Sequence, residues 1–461
     1  MLGALVLAAL PVVGNDIWDV QRHRLPNGLE VFIKQRSETQ AVEVRAVVKV
    51  GHRYEEPLDS GLSHLLEHML FKGTARQTEA QLKWAVERRG GGRNGITTPE
   101  ATYYFVNIRD VHFKFAVDWL EDIVFHSLMK DSALAQARKD VYSEQGGKYP
   151  RILEKIFIAG FFQPPEVRAA EVSFPYAQVA ERLAVRLEHI DRARLRQHFD
   201  AYYQPNNMAI IVVGNVDAAD ALREIEAHFG GLKPRPIARP SYVPYREPHV
   251  VDEIRSRFYP PVGQLTDVNY GIWTHGDADP DRHVLRMLAR HLDRRLKEEI
   301  RYKRALAYSV GCGFFEDVDV GALYAYASGP RDAEDEVKSV MRAVVREVTE
   351  HEISAADLAD AREAYIGSST RYYESNSRLA DLYQNFFLTV PFGAPLPNEF
   401  ASAERVTPAD VLRVAKARLH HGALMFVVAR PPLTYTGAAV LGVVVVLVAI
   451  LLIVWRRRHP R

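Results

Sequence analysis

At 461 residues, with 47% hydrophobic and 25% charged residues, the chain has the composition of an ordinary folded protein and apolar material for two sizeable cores. The formal net charge is +1 and Lys, Arg, Asp and Glu are interleaved with no long basic stripe, which argues against a nucleic-acid partner held by charge. Cys312 is the only cysteine, so an intrachain disulfide and a thiolate-rich metal site are excluded, and any metal must rest on His and carboxylate.

From the N-terminus, Met1 to Val13 is an apolar run too short to cross a bilayer, with small residues at Val12 and Gly14. Residues 1–14 read as the core of a signal peptide that lacks its basic leading region, the alternative being a first buried strand. A β-rich run from Val42 to Val50 follows.

The most informative segment is Gly61 to Phe71, which Asp59 or Ser60 could start as a helix and Gly73 would stop. At about 100° per residue, His64, Glu67 and His68 share an arc of roughly 100°, while Leu65, Leu66, Met69 and Leu70 cover the other side. Histidines at i and i+4 stand one turn apart, so both rings can reach one tetrahedral zinc ion at about 2.0–2.1 Å. Glu67 then sits beside the metal, placed as a general base toward metal-activated water. The bland alternative is a surface helix with two solvated histidines.

Further along, Gly90 to Thr98 reads as a tight turn entering a strand, and helical patterns cover Phe113 to Met129 and Ser132 to Gln145. A helix-like segment from Ile190 to Tyr202 leads to a buried strand, Met208 to Val213. The Pro-punctuated stretch Lys233 to Pro248 reads as a linker. Beyond it come a helical pattern at Val284 to Ile300, a β-rich run at Ala322 to Ala327, and a second helix-then-strand ending, Val406 to Leu419 and Leu424 to Val428. Val428 lies 215 positions after Val213, so the two halves end alike and read as two copies of one unit. The expected fold is α+β: two homologous domains, 15–232 and 249–432, each a largely antiparallel sheet packed with helices, joined by the linker 233–248.

Tyr435 to Trp455 is uncharged, almost wholly apolar and long enough to span a hydrocarbon core of roughly 30 Å. With Tyr435 and Trp455 at its ends and Arg456, Arg457 and Arg458 following, 433–455 reads as a transmembrane helix and 456–461 as a basic cytoplasmic tail. The lipid bilayer is then a partner, and everything before Tyr435 is expected on the extracytoplasmic side, periplasmic or extracellular.

The run from Gly61 to Thr74, ending His68-Met69-Leu70-Phe71-Lys72-Gly73-Thr74, resembles the inverted-zincin peptidases of the pitrilysin, insulin-degrading enzyme and mitochondrial processing peptidase family. Leu25 to Val31, Gly90 to Tyr104, Tyr203 to Met208 and Val212 to Asp217 are similar to that family too. The resemblance covers nearly everything between Asp16 and Arg430 and points to the family's short, two-domain branch.

The resemblance implies one Zn2+ per chain, with His64, His68 and a third ligand, Glu144 of Val141-Tyr142-Ser143-Glu144, 76 residues after His68. A carboxylate placed in a folded interior needs such a partner. It implies that the strand carrying Asn94 is an edge that pairs with extended peptide, Asn94 helping to hold its backbone near the metal, so the substrate is a peptide or an unfolded protein segment. The second half has no His-x-x-Glu-His, but Arg301 to Ser309 resembles the family's Arg and Tyr pair. Arg301 can fix a substrate carbonyl and Tyr308 can donate to the oxyanion of a tetrahedral intermediate. In two-domain members this pair generally faces the zinc motif of a second subunit, which implies a homodimer or a heterodimer with a related subunit.

One position departs from the family: Ala137 stands where a second glutamate is usual, two turns before Glu144. Asp140 is the candidate to orient a ligand in its place. The expected function is a membrane-anchored zinc metalloendopeptidase. Ala137 keeps open the alternative of an inactive member that serves as a peptide-binding or scaffold subunit beside an active partner. A merely structural metal fits less well, because structural zinc usually has four protein ligands and no adjacent free carboxylate.

Overall fold

The computed structural model describes residues 17–56, 59–144, 187–237, 252–256, 262–316, 321–420, 423–431 and 433–458. The signal-like segment 1–14, most of the Pro-punctuated linker, Gln145 and the last residues of the basic tail lie outside them. The described chain forms two compact units, the first from residues up to 144 with 187–237 and 369–398, the second from 252–368 with 399–458.

The first unit begins with β1 (Gln21–Arg24), β2 (Glu30–Gln35), β3 (Ala41–Val48), α1 (Leu62–Leu70), α2 (Glu79–Glu87), β4 (Gly92–Thr97) and β5 (Thr102–Arg109). It continues with α3 (Phe113–Phe125), α4 (Asp131–Glu144), α5 (Arg192–Tyr202), β6 (Met208–Gly214) and α6 (Ala218–Phe229). Its sheet runs β1-β2-β6-β3-β5-β4, with β2 and β6 parallel and every other pair antiparallel. Alternation along β3 sends Val42, Val44, Ala46 and Val48 into a core shared with α1, α3 and α4, while Val47 faces a second core on the other side. β6 is apolar throughout, as a strand buried on both faces requires.

The second unit holds β7 (Glu253–Ser256), β8 (Leu265–Thr274), α7 (Arg282–Leu296), β9 (Ser309–Glu316), β10 (Gly321–Pro330), α8 (Glu334–Glu350) and most of α9 (Ala355–Tyr372), whose residues from Ser369 on belong to the first unit's final segment. That segment carries α10 (Asn376–Thr389), after which the second unit resumes with α11 (Glu399–Glu404), α12 (Pro408–Arg418), β11 (Met425–Ala429) and α13 (Tyr435–Arg458). The sheet order is β7-β11-β8-β10-β9, with β7 and β11 parallel. It matches β2-β6-β3-β5-β4 strand for strand, including the one parallel pair, so the internal repeat read at a spacing of 215 is a repeat of topology.

One expectation needs correction. Residues 249–432 do not fold as a single C-terminal domain, because 369–398 belong to the first unit. Leu379, Ala380, Tyr383, Phe386 and Phe387 of α10 form a core with Phe32, Val47, Ala209, Ile211 and Val213, the sheet face left bare by the first unit's own helices. Three arginines fasten the segment: Arg22 donates to the Val390 carbonyl at 2.8 Å, Arg36 to that of Glu374 at 2.7 Å, and Arg45 to Asp381 at 2.8 Å. Two helices also end earlier than their apolar periodicity: α3 stops at Phe125, ahead of the left-handed Met129 (φ 43°), and α7 passes at Leu296 into a π-helical turn, Lys297–Tyr302.

Candidate active site

α1 starts later than its sequence suggests. Gly61, in the left-handed region at φ 94°, is the N-cap and offers no side chain, so the exposed N–H groups are satisfied from outside: Glu55 accepts from Gly61 N at 2.7 Å and from Ser63 N at 2.6 Å. Asp59, expected as a possible cap, pairs with Arg194 of α5 instead. Leu62, Leu65, Leu66, Met69 and Leu70 are buried, which fixes the helix's rotation and turns His64 and His68 toward α4.

There the sequence-predicted residues meet. His64 Nε2 lies 3.2 Å from His68 Nε2, and Glu144 Oε2 lies 3.1 Å from the first and 3.4 Å from the second. Donor atoms around one tetrahedral ion at about 2.0–2.1 Å stand roughly 3.3–3.4 Å apart, so the three-atom cluster has the spacing of a zinc ligand set. Burial, and then the neighbouring His68, lower the His64 pKa to about 4, which leaves the ring neutral and its lone pair free. Glu144 departs from the interior carboxylate expected, since its side chain is 57% exposed and ends the described part of α4.

Glu67 sits beside this cluster, 6% exposed, with ligand-capable atoms of His64 and His68 all within 4.8 Å of its own. Burial pushes its carboxyl up to about 8, against a hydrogen bond from Thr97 and with help from the charge of Glu144. Thr97 Oγ1 donates to Glu67 Oε2 at 2.8 Å. A Cβ built on Gly95 would stand 2.8 Å from Glu67 Oε1, so only the bare backbone of Gly95 lets the carboxylate lie against β4. Glu55, Gly95 and Thr97 escape a reading by motif. For Gly95 and Thr97 the signal is the strand's two-residue period, which puts Arg93, Gly95 and Thr97 on the face toward α1, with the Arg93 guanidinium 5.4 Å from the Phe71 ring centre.

The same alternation bears on Asn94. It is exposed and, lying between Arg93 and Gly95, it presents its side chain to the face of β4 away from Glu67. What β4 offers next to Glu67 is therefore backbone at the end of the sheet order, not the Asn94 amide. Ala137 is fully buried in the core on α4, and Asp140 is engaged by Lys72 Nζ at 2.9 Å and Gln136 Nε2 at 2.6 Å, not by an imidazole. Arg301 and Tyr308 belong to the second unit, where they are paired with each other: the guanidinium stands 4.3 Å from the centre of the Tyr308 ring, which is 80% exposed. Ala305, between them, holds the left-handed region at φ 52°.

Family comparison accounts for both halves. A family model described as Insulinase (Peptidase family M16) matches residues 30–169, and one described as Peptidase M16 inactive domain matches 189–365. The chain belongs to peptidase family M16. Among its M16 relatives, an uncharacterized zinc protease, YmxG, of Bacillus subtilis is 25% identical over 363 residues, covering 78% of this chain and 86% of the relative. A probable mitochondrial-processing peptidase subunit beta of Arabidopsis thaliana is 25% identical over 423 residues, covering 86% and 75%. The two-unit fold is that of solved M16 neighbours. A crystal structure of a protease from Helicobacter pylori superposes with a TM-score of 0.72 at 20% identity, covering 89% of this chain and 99% of that one. A peptidase M16 inactive domain structure from Pseudomonas fluorescens gives 0.69 at 18%, covering 90% and 99%.

Proposed function

We propose that the chain is a zinc metalloendopeptidase, anchored in a membrane by α13, that hydrolyses extended peptides or unfolded protein segments. The observation that carries the reading is the convergence of His64, His68 and Glu144 at 3.1 to 3.4 Å with the buried carboxylate of Glu67 beside them. His64, His68 and Glu144 would hold one Zn2+ per chain. Bound there, the ion supplies Lewis acidity toward a peptide carbonyl and lowers the pKa of water toward 7. Glu67 takes the proton of the attacking water and returns it to the leaving amine nitrogen, its carboxylate standing beside the His64 and His68 rings. The backbone of β4 pairs with an extended substrate, Asn94 contributing from the solvent side of the strand. Arg301 and Tyr308 supply a cation and a phenol to the carbonyl oxygen as it gains charge, in a dimer with a second copy or a related subunit.

The anchoring reading rests on α13, whose residues Tyr435–Trp455 are apolar over 21 residues with none of that stretch buried against the protein. Its basic end then lies in the cytoplasm and both units outside it. The test uses the full chain in detergent with unstructured peptides, with metal content measured beside turnover. Glu67→Gln is expected to keep its zinc and lose about 10²–10⁴ in kcat, and Glu144→Gln to lose zinc. Bound zinc with no cleavage by the wild type would replace this reading by the peptide-binding subunit that Ala137 favours.

A further inference from the structure

The second unit ties the membrane helix to one end of its sheet with almost no slack. Residues 430–434 separate β11 from α13, and that link is itself pinned. Leu433 forms a β-bridge with Val262 and its carbonyl accepts from Gly263 N at 3.0 Å. Pro431 lies so close that a Cβ on Gly263 would stand 2.7 Å from it. Thr434 caps the helix, its hydroxyl accepting from Gly437 N at 3.0 Å. Among the described residues of the link, Pro431, Leu433 and Thr434 are each held against folded backbone, to within a residue of the apolar span.

The strand register places Tyr308 at that same end. Across the sheet, Ala429 of β11 is opposite Asp267 of β8, Asp267 is opposite Ser328 of β10, and Ser328 is opposite Ser309 of β9. Tyr308 immediately precedes Ser309 and carries Arg301 against its ring. Three strand spacings separate the outer strands of this row, about 14 Å. Adding the greatest reach of the five-residue link, about 17 Å, puts the Arg301/Tyr308 pair within about 30 Å of the start of the span. Exposed Leu265 and Tyr308 lie along this rim, and exposed Tyr435 begins the helix.

We infer that the substrates are juxtamembrane segments, extended stretches within about ten residues of a polypeptide's own membrane anchor, since about 30 Å is spanned by roughly that many residues in extended form. The inference rests on the anchored-peptidase reading. Any peptide bond that Arg301 and Tyr308 assist has to come to their height above the bilayer. A tether this short, held at Pro431, Leu433 and Thr434, brings a membrane-bound chain to that height near its anchor and disfavours it farther out.

The test reconstitutes the full chain in liposomes with two substrates that share one unstructured cleavable stretch and one membrane anchor. In the near substrate the stretch begins about 8 residues from the anchor. In the far one a Pro-rich spacer of about 20 residues, about 60 Å at 3.1 Å each, intervenes. Both are held on the same bilayer at equal density, so tethering alone favours neither. The near substrate is expected to be cut at least tenfold faster. Inserting about 30 Gly/Ser residues between Leu433 and Thr434 adds about 30 Å of r.m.s. reach and is expected to bring the ratio toward one. Equal rates with the native tether, or a ratio that the insertion leaves unchanged, would overturn the inference while soluble peptide is still cleaved. No cleavage of any substrate, soluble peptide included, would remove the peptidase reading and this inference with it.

Discussion

Thr97 is the one hydrogen-bond donor to Glu67 among the described residues, and it fixes which carboxylate oxygen remains free over Gly95. If Glu67 is the general base proposed above, its free oxygen has to point at the proton it takes, and the Thr97 bond is then expected to act on turnover more than on substrate binding. Thr97→Val is expected to lower kcat by about tenfold or more, with zinc content and KM little changed, and Thr97→Ser to restore it; steady-state kinetics beside metal analysis checks this. Spacing made His64, Glu67 and His68 legible, because a helix converts i, i+3 and i+4 into one face. Glu144 came through resemblance, and its contact with both imidazoles needed α4 to be in place. Thr97 and Gly95 were illegible because their relation to Glu67 exists only once β4 lies beside α1.

At the scale of elements, the N-terminal turn of α1 is held from two sides, by Glu55 and by α5, whose buried His198 meets Ser63 Oγ at 3.2 Å. Burial, reinforced by Arg194, lowers the His198 pKa to about 4. The unfolded chain therefore binds a proton between pH 6.5 and about 4 that the folded chain does not. The contribution of this group to stability is present above pH 6.5 and is lost as pH falls through that window, by roughly 3 kcal/mol in all. Urea titrations across pH 4–7 are expected to show a shallower loss for His198→Asn than for the wild type, and parallel curves would count against the assignment. A second buried group fastens α10 to β3: Arg45, with Glu43 at 2.7 Å, Asp381 at 2.8 Å and Gln384 at 3.0 Å. Arg45→Ala leaves the fully buried Glu43 without its cation, Ser377 Oγ remaining as a donor, and is expected to cost about 3–5 kcal/mol by the same titration.

For the whole molecule, the sheet-and-helix repeat was legible from β6 and β11, whose apolar runs follow amphipathic helices at a constant offset. The path of the chain was not. A Pro-punctuated stretch marks where one unit pauses, but α10 has the same amphipathic pattern as helices that stay in their own half, and nothing local says which sheet it covers. A fragment ending at residue 237 is accordingly expected to be aggregated, with the Phe32, Val47, Ile211 and Val213 face open to solvent. Size-exclusion chromatography and dye binding check this, and a monodisperse, dye-silent fragment would show that α10 is dispensable to the first unit.

That returning segment also sets the order in which the protein can be finished. Arg45 waits for Asp381, 336 positions downstream, and the face of the first sheet closes only when residues 369–398 have been made. Closing so long a loop comes late, because its entropy is lost before the contacts repay it, and sheets built from distant pairings fold slowly. The growing chain thus keeps the Phe32, Val47, Ile211 and Val213 face of its first sheet open through most of its synthesis, a surface that must be kept from other chains until its own helix arrives.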